Sequence, residues 1–258
     1  MTSITERGAE LRRLHAAPEL LQVVNVWDAI SAKAVASLPE TRALATASHS
    51  IAATLGYEDG ERIPRELMLD MVARIVATTD LPVSADLEAG YGDAGETIRR
   101  AIGVGAVGAN LEDRVRPFDE AVAAVRAAVA AAEAEGVPFA LNARTDVWIR
   151  EGFPTADERT EEAIRRGRAF LDEGATCVFV PGRLDEETVS RLVGGLGDRT
   201  LSVIAVPGSL SPARLSELGV ARVSYGPWTQ RVALAALQGT AAELYAGGEL
   251  PDTVPVLN

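Results

Sequence analysis

Cysteine, histidine, lysine and aromatic side chains are all scarce in this chain, and each shortage removes a class of chemistry. Cys177 is the only cysteine among 258 residues, which excludes an intrachain disulfide and a multi-cysteine zinc site. Its context, Thr176-Cys177-Val178-Phe179-Val180, reads as a buried strand, so the thiol is expected to act as a small core hydrophobe and not as a nucleophile. Lys33 is the only lysine and falls in a helical stretch, away from any strand end, which argues against Schiff-base chemistry. Of the two histidines, His15 is expected at a solvated position on an N-terminal helix, while His49 follows Ser48 at the end of an apolar run. Positive charge is short as well: 25 Lys and Arg against 37 Asp and Glu give a formal net charge of −12, with the basic residues scattered. A broad nucleic-acid surface needs a basic stripe, so that class is set aside. No apolar run approaches the roughly 20 residues of a membrane helix, and residues 1–7 carry no apolar signal segment. The expected setting is cytoplasmic, with no membrane or nucleic-acid partner.

What the chain does have is a regular alternation. With 47% hydrophobic residues it can bury a full core. Short apolar runs at 21–26, 43–46, 81–85, 107–111, 139–143, 177–180, 201–205 and 222–224 alternate with amphipathic or alanine-rich stretches, the pattern of βα units around a parallel sheet. Eight such units in this length predict one (β/α)8 TIM barrel spanning residues 1–258 as a single domain. An open doubly wound sheet is the alternative, but the first strand leads into Trp27-Asp28-Ala29-Ile30-Ser31, which lacks the glycine-rich phosphate loop of that fold. The glycines of 103–108 precede a strand and read as helix termination. An extra N-terminal helix over 5–16, with Leu11 and Leu14 on one face, is expected to cap the lower end of the barrel.

Acids recur where the strands should stop. Ala85-Asp86-Leu87-Glu88-Ala89-Gly90-Tyr91-Gly92 ends an apolar run in two acids two residues apart, a spacing that would place both on one face of a strand. Hard oxygen donors at a strand end suit Mg2+; a solvated acidic turn is the other reading. Asn110-Leu111-Glu112-Asp113-Arg114 repeats the arrangement, and Gly56-Tyr57-Glu58-Asp59-Gly60 supplies a further acid in a glycine-bracketed loop. Asn142-Ala143-Arg144-Thr145-Asp146 adds an arginine, the side chain best shaped to grip a carboxylate or phosphate through two bonds.

Taken in order along nearly the whole chain, these motifs resemble the isocitrate lyase/phosphoenolpyruvate mutase superfamily. The stretches Val26 to Ala32, Ala47-Ser48-His49-Ser50 and Leu55 to Gly60 look like its first two strand ends, and Asp86-Leu87-Glu88 looks like its metal signature, usually written with two aspartates. The resemblance implies Mg2+, or Mn2+, bound most directly by Asp86, with Asp59, Glu88 and Glu112 on its water ligands. It also implies that Arg144 and Asn142 grip a carboxylate or phosphonate, and that Trp27, Asp28, Ser48 and His49 receive the rest of a 2-oxo acid. The catalytic set it implies is Arg144, His49, Tyr57 and Glu112, with His49, Tyr57 and metal-bound water as candidate acid or base. The loop Glu112 to Phe118 contains neither the cysteine and lysine of the carbon–carbon lyases nor the asparagine gate of the phosphorus–carbon enzymes, which places the chain in a branch lacking the lyase cysteine loop. Three functions follow: a Mg2+-dependent lyase acting on a 2-hydroxy or 2-oxo polycarboxylate through a pyruvate-type enolate, a phosphonopyruvate-type mutase or hydrolase, and a non-catalytic 2-oxo acid binder. A homo-oligomer is implied too, a dimer or a tetramer built from dimers that exchange the helix over 228–244, with the tail 247–258 extended.

Overall fold

The computed structural model describes residues 2–257. Its strands are β1 (Leu21–Val23), β2 (Asn25–Val26), β3 (Leu44–Thr46), β4 (Val83–Asp86), β5 (Gly108–Glu112), β6 (Ala140–Arg144), β7 (Cys177–Val180), β8 (Leu201–Ile204) and β9 (Arg222–Ser224). The helices are α1 (Ile4–Ala16), α2 (Ala29–Ala36), α3 (Ser48–Thr54), α4 (Arg65–Val76), α5 (Ala94–Gly103), α6 (Phe118–Ala134), α7 (Ala156–Asp172), α8 (Glu186–Leu196), α9 (Pro212–Glu217) and α10 (Trp228–Tyr245). The strand order β1-β9-β8-β7-β6-β5-β4-β3-β2, all parallel, returns to its own start, because β1 and β2 are consecutive in the chain. The result is the expected barrel, with one departure. The first strand breaks at Val24, so that β1 pairs with β9 and β2 with β3, and the Val24 carbonyl accepts from Ala45 N–H at 3.4 Å.

Local chemistry sets the helix ends. Ser3 with Glu6, and Thr155 with Glu158, form capping boxes at α1 and α7. Gly174 follows α7 at φ +95°, a left-handed conformation that glycine adopts without a Cβ clash. Leu11 and Leu14 of α1 are buried as expected, and Gly8 lies so close to the Pro138 carbonyl that a Cβ would stand 2.6 Å from its oxygen. His15, expected in solvent, is buried on that same face one residue past Leu14. Its Nδ1 donates to the Leu11 carbonyl at 2.8 Å. Burial, and then the charge of Arg222, push its pKa down to about 3, so the ring is neutral.

The barrel interior is unusual in being small and polar. Register places Ala45, Ser84, Gly108 and Ala140 in one layer, and Asp86, Asn110, Asn142 and Cys177 in the layer above. Bulky branched residues normally fill this space. Here Arg222, fully buried on β9, crosses the barrel to donate to Ser84 Oγ on β4 at 3.1 Å. Cys177 is buried as expected, donates to Asn142 Oδ1 at 2.9 Å, and has its pKa raised to about 12 by burial, so the thiol is inert.

One helix does not follow the rule of the others. Gln230 is the buried residue of α10, while Val232 and Leu237 are 67% and 66% exposed. Among the described residues, the tail after Gly247 contains no helix or strand.

Candidate active site

The C-terminal strand ends converge on a cavity of about 290 Å3 that opens to solvent. From β3, the chain turns into α3 through Ala47, Ser48 and His49, and all three line the cavity. The Ser48 backbone N–H and hydroxyl both donate to Asp86 Oδ2, at 3.0 and 2.8 Å, and Thr46 Oγ1 accepts from the Asp86 N–H at 2.8 Å. Asp86 is thereby fixed by three bonds while keeping Oδ1 apart from Ser48. Burial raises its pKa; Arg144 and the Ser48 bonds oppose that shift, and Glu112 reinforces it. Asp59 also lines the cavity, with Oδ1 a loose 3.5 Å from Ser48 Oγ.

Glu88 departs from the sequence expectation in its backbone. Strand β4 ends at Asp86, and Glu88 sits in the following turn at φ +52°, left-handed for a residue with a Cβ. Its carbonyl accepts from Glu112 N–H at 2.8 Å, which holds the strained turn against β5. The carboxylate is buried, bonds Arg114 Nη2 at 3.3 Å, and accepts from Tyr91 Oη at 3.3 Å. Its pKa rises to about 7, first through burial and then through repulsion by Asp86, Asp59 and Glu112.

A chain of alternating charges braces the cavity from behind. Arg114 pairs with Glu61 at 3.0 Å and with Glu112 Oε1 at 2.8 Å. Glu112 Oε2 pairs with Arg144 Nη1 at 3.0 Å, and Arg144 Nε bonds Asp146 Oδ1 at 2.6 Å. Burial works to lower the Arg144 pKa, but Glu112, Asp146 and Asp86 outweigh it and the net shift is upward. The fully buried Asp146 is raised to about 6 by burial, which Arg144 opposes and Glu112 reinforces. Arg144 Nη2 is engaged by neither acid, and Arg144 lines the cavity. Two bonds thus lock the guanidinium plane while leaving donors for an anion.

The other side of the cavity is mostly apolar, with Ile149, Phe179, Pro181, Ile204, Val206 and Pro227, and carries Ser224 and Asn25 among them. Phe179 lies under Arg144, 5.8 Å from ring centroid to guanidinium carbon. Two larger surface hollows, about 690 and 450 Å3, sit at the other end of the barrel near Lys33 and Leu21 and contain no comparable cluster.

Of the residues singled out from sequence, Ser48, His49, Asp59, Asp86 and Arg144 meet in this cavity. Glu88 and Glu112 stand behind it, joined to it through Arg114 and Arg144. Trp27 and Asp28 do not line it; Asp28 caps α2 by accepting from Ser31 N–H at 2.7 Å. Tyr57 is 37% exposed and outside the lining. Asn142 is buried within the barrel, donating to Asn110 Oδ1 at 2.7 Å. Sequence reasoning passed over Asn25, whose Oδ1 accepts from the N–H groups of Tyr225 and Gly226 at 2.7 Å each. A polar residue interrupting the apolar run 21–26 was the available signal.

Among the described residues, no three His, Cys, Asp or Glu side chains converge as a direct chelate. The donor set instead fits Mg2+, which dehydrates reluctantly and is commonly held by one or two carboxylates and several waters. Asp86, fixed by three bonds, is the carboxylate that would hold such an ion directly, and the repulsion by Asp86, Asp59 and Glu112 that adds to burial in raising the Glu88 pKa is what a divalent cation would relieve.

Comparison with known proteins agrees with the fold and the family resemblance. The phosphoenolpyruvate phosphomutase family model matches residues 11–245. An uncharacterized protein of Mycobacterium tuberculosis (strain H37Rv) is 33% identical over 235 residues, 90% of this chain and 87% of its own. The oxaloacetate decarboxylase of Paraburkholderia xenovorans (strain LB400) is 27% identical over 267 residues, covering 97% and 86% of the two chains. A crystal structure of a provisionally named phosphonomutase from Burkholderia cenocepacia J2315 superposes with a TM-score of 0.86 at 39% identity, over 95% of this chain and 100% of that one. With a family match across most of its length and relatives covered nearly end to end, this chain belongs to the phosphoenolpyruvate phosphomutase family, within the isocitrate lyase/phosphoenolpyruvate mutase superfamily of lyases and mutases.

Proposed function

We propose that the chain is a Mg2+-dependent lyase, with Mn2+ as the substitute ion, that breaks a carbon–carbon bond next to the 2-oxo or 2-hydroxy group of a small carboxylic acid. The observation that carries this reading is the meeting of Asp86 and Asp59 with Arg144 in one cavity at the C-terminal strand ends, where barrel enzymes keep their chemistry. Asp86 would hold the ion, with Asp59, Glu88 and Glu112 on its water ligands. When bound, the ion supplies Lewis-acid stabilisation of charge developing on the 2-oxo oxygen. Arg144, clamped by Glu112 and Asp146, binds and orients the substrate carboxylate. Ser48 holds Asp86 in place, and His49, whose Nδ1 is buried without a protein partner, is the cavity's candidate for moving a proton. The five residues between β5 and α6 are too short for a long lid, so water exclusion rests on the cavity walls.

Homo-oligomerisation through α10 belongs to the same reading: a helix with this much exposed apolar surface is suited to a second copy of the chain. The partner molecule is otherwise a small carboxylate. Among the described residues, no helix is long and apolar enough to cross a membrane.

Proton and phosphorus NMR of oxaloacetate, isocitrate, methylisocitrate and phosphonopyruvate, each with Mg2+ and with EDTA, tests the reading. Mg2+-dependent loss of a carboxylate substrate supports it. Loss of phosphonopyruvate alone would replace it by phosphorus–carbon chemistry, and affinity without turnover by a binding role.

A further inference from the structure

Behind the charged side of the cavity lies an acid that reaches neither the cavity nor solvent. Asp113 is 3% exposed and outside the lining, yet each of its polar atoms is engaged. Its N–H donates to the Arg144 carbonyl at 2.9 Å, and its carbonyl accepts from the Arg116 N–H at 2.9 Å. Oδ1 accepts from the N–H groups of Val115 at 2.8 Å and Asp146 at 3.0 Å, while Oδ2 accepts from Arg166 Nη1 at 3.1 Å. Arg166 belongs to α7, is buried, and is held along its helix by Glu162 at 2.7 Å. Burying a carboxylate is costly unless hydrogen bonds and a counter-charge recover the loss. Here they come from two different loops and a helix.

The two bonds to Oδ1 lead to the two working parts of the charged side. Arg114 and Val115 turn at φ +48° and +55°, successive left-handed residues of which the second is β-branched, a conformation that persists only where the surroundings impose it. The bond from the Val115 N–H closes that turn, and the turn aims Arg114 at Glu61, Glu88 and Glu112. The bond from the Asp146 N–H fixes the backbone of the acid that holds Arg144 Nε at 2.6 Å. Glu112 joins the same two arginines, but through their long side chains. Asp113 fixes the backbones from which those side chains spring.

We infer that Asp113 is a positioning residue: through Val115 and Asp146 it keeps the ion-binding acids and the anion-binding Arg144 in register with each other. The inference rests on the reading of the site given above and adds to it a residue that touches neither ion nor substrate.

Calorimetric titration of the full chain with Mg2+ alone, and then with pyruvate at saturating Mg2+, tests this. Asp113→Ala should weaken both by about tenfold, a coupling ordinary within one hydrogen-bond network, whereas Asp146→Ala should weaken pyruvate alone. The double variant Asp113→Ala/Asp146→Ala should bind pyruvate no more weakly than the weaker single variant, because one residue acts through the other. Losses that multiply, as a merely structural Asp113 would give, or unchanged affinities in Asp113→Ala overturn the inference. Where Asp113→Ala does not fold, Asp113→Asn and Asp113→Asn/Arg166→Met make the same comparison. The amide of the single variant turns a donor toward either Arg166 or the two N–H groups, and affinity should fall. The double variant removes the opposing donor, keeps an oxygen toward Val115 and Asp146, and should bind pyruvate within about twofold of the unaltered chain. Equal affinity of these two variants overturns the inference. Absence of pyruvate binding by the unaltered chain overturns the reading of the site, and this inference with it.

Discussion

The two halves of the barrel treat the same cavity differently. Strands β3 to β6 deliver Ser48, Asp86, Asn110 and Arg144 to it, with Glu112 behind, whereas β7 to β9 deliver Phe179, Ile204, Ser224 and Pro227. The charged half is held by hydrogen bonds and ion pairs that cross from strand to strand, from Thr46 to Asp86 and from Glu112 to Arg144. The more apolar half is held by packing and, at the end of β9, by the N–H groups of Tyr225 and Gly226 donating to Asn25 Oδ1. The difference teaches that the groups able to bind an ion and an anion gather in one half, so the largest effects of substitution on binding and turnover are expected there.

The largest effects belong to the charged half. His49→Asn should lower kcat by about 10²–10⁴ with little change in substrate affinity, the usual loss when a general acid or base is removed. Equal loss of kcat and affinity would make His49 a binding group instead. Arg144→Lys should weaken carboxylate binding by at least about thirtyfold, since truncating one partner of a buried charge pair costs about 2–5 kcal/mol, and an ammonium cannot serve Glu112, Asp146 and the substrate together. Titration with pyruvate and Mg2+ reads this directly. Unchanged affinity would move the anion site away from Arg144.

A smaller effect is visible in stability. Asp146 has its pKa raised to about 6 from an ordinary 3.8, chiefly by burial. The folded state therefore holds a proton that the unfolded state has released, and stability falls as pH rises from about 4 through 6. The contribution is on the order of 1–3 kcal/mol. Thermal unfolding in EDTA between pH 4 and 7 should show the decline, which Glu88, raised to about 7, shares, and Asp146→Asn should reduce it without abolishing it. The smallest effect is expected at Tyr57, outside the cavity: Tyr57→Phe should leave kcat/KM unchanged, and a tenfold drop would restore its hydroxyl as a proton donor.

The same contrast explains what could be read before folding. Charged residues at strand ends stand out because an acid beside a buried strand is rare. Asp86, Asp59 and Arg144 were therefore readable from the chain, as was the barrel that brings them together. The apolar wall was not, because Phe179 and Ile204 look like any core residue of a buried strand. His15 was misread for a related reason: its position beside Leu14 gives no sign that α1 folds beneath the barrel toward Arg222. Asp146 belongs to the arginine motif, yet its grip on Arg144 depends on backbone geometry after β6. The turn at Glu88 was missed because nothing in its residue type announces a left-handed φ.

The most direct test of the central claim, that Asp86 and Arg144 bind an ion and a 2-oxo acid in one cavity, is calorimetric titration of 2-oxobutyrate into the unaltered chain and into Asp86→Ala, each with Mg2+ and with EDTA. The account predicts binding only by the unaltered chain with Mg2+, with the variant still folded by circular dichroism. Equal affinity in EDTA, or in Asp86→Ala, would contradict it.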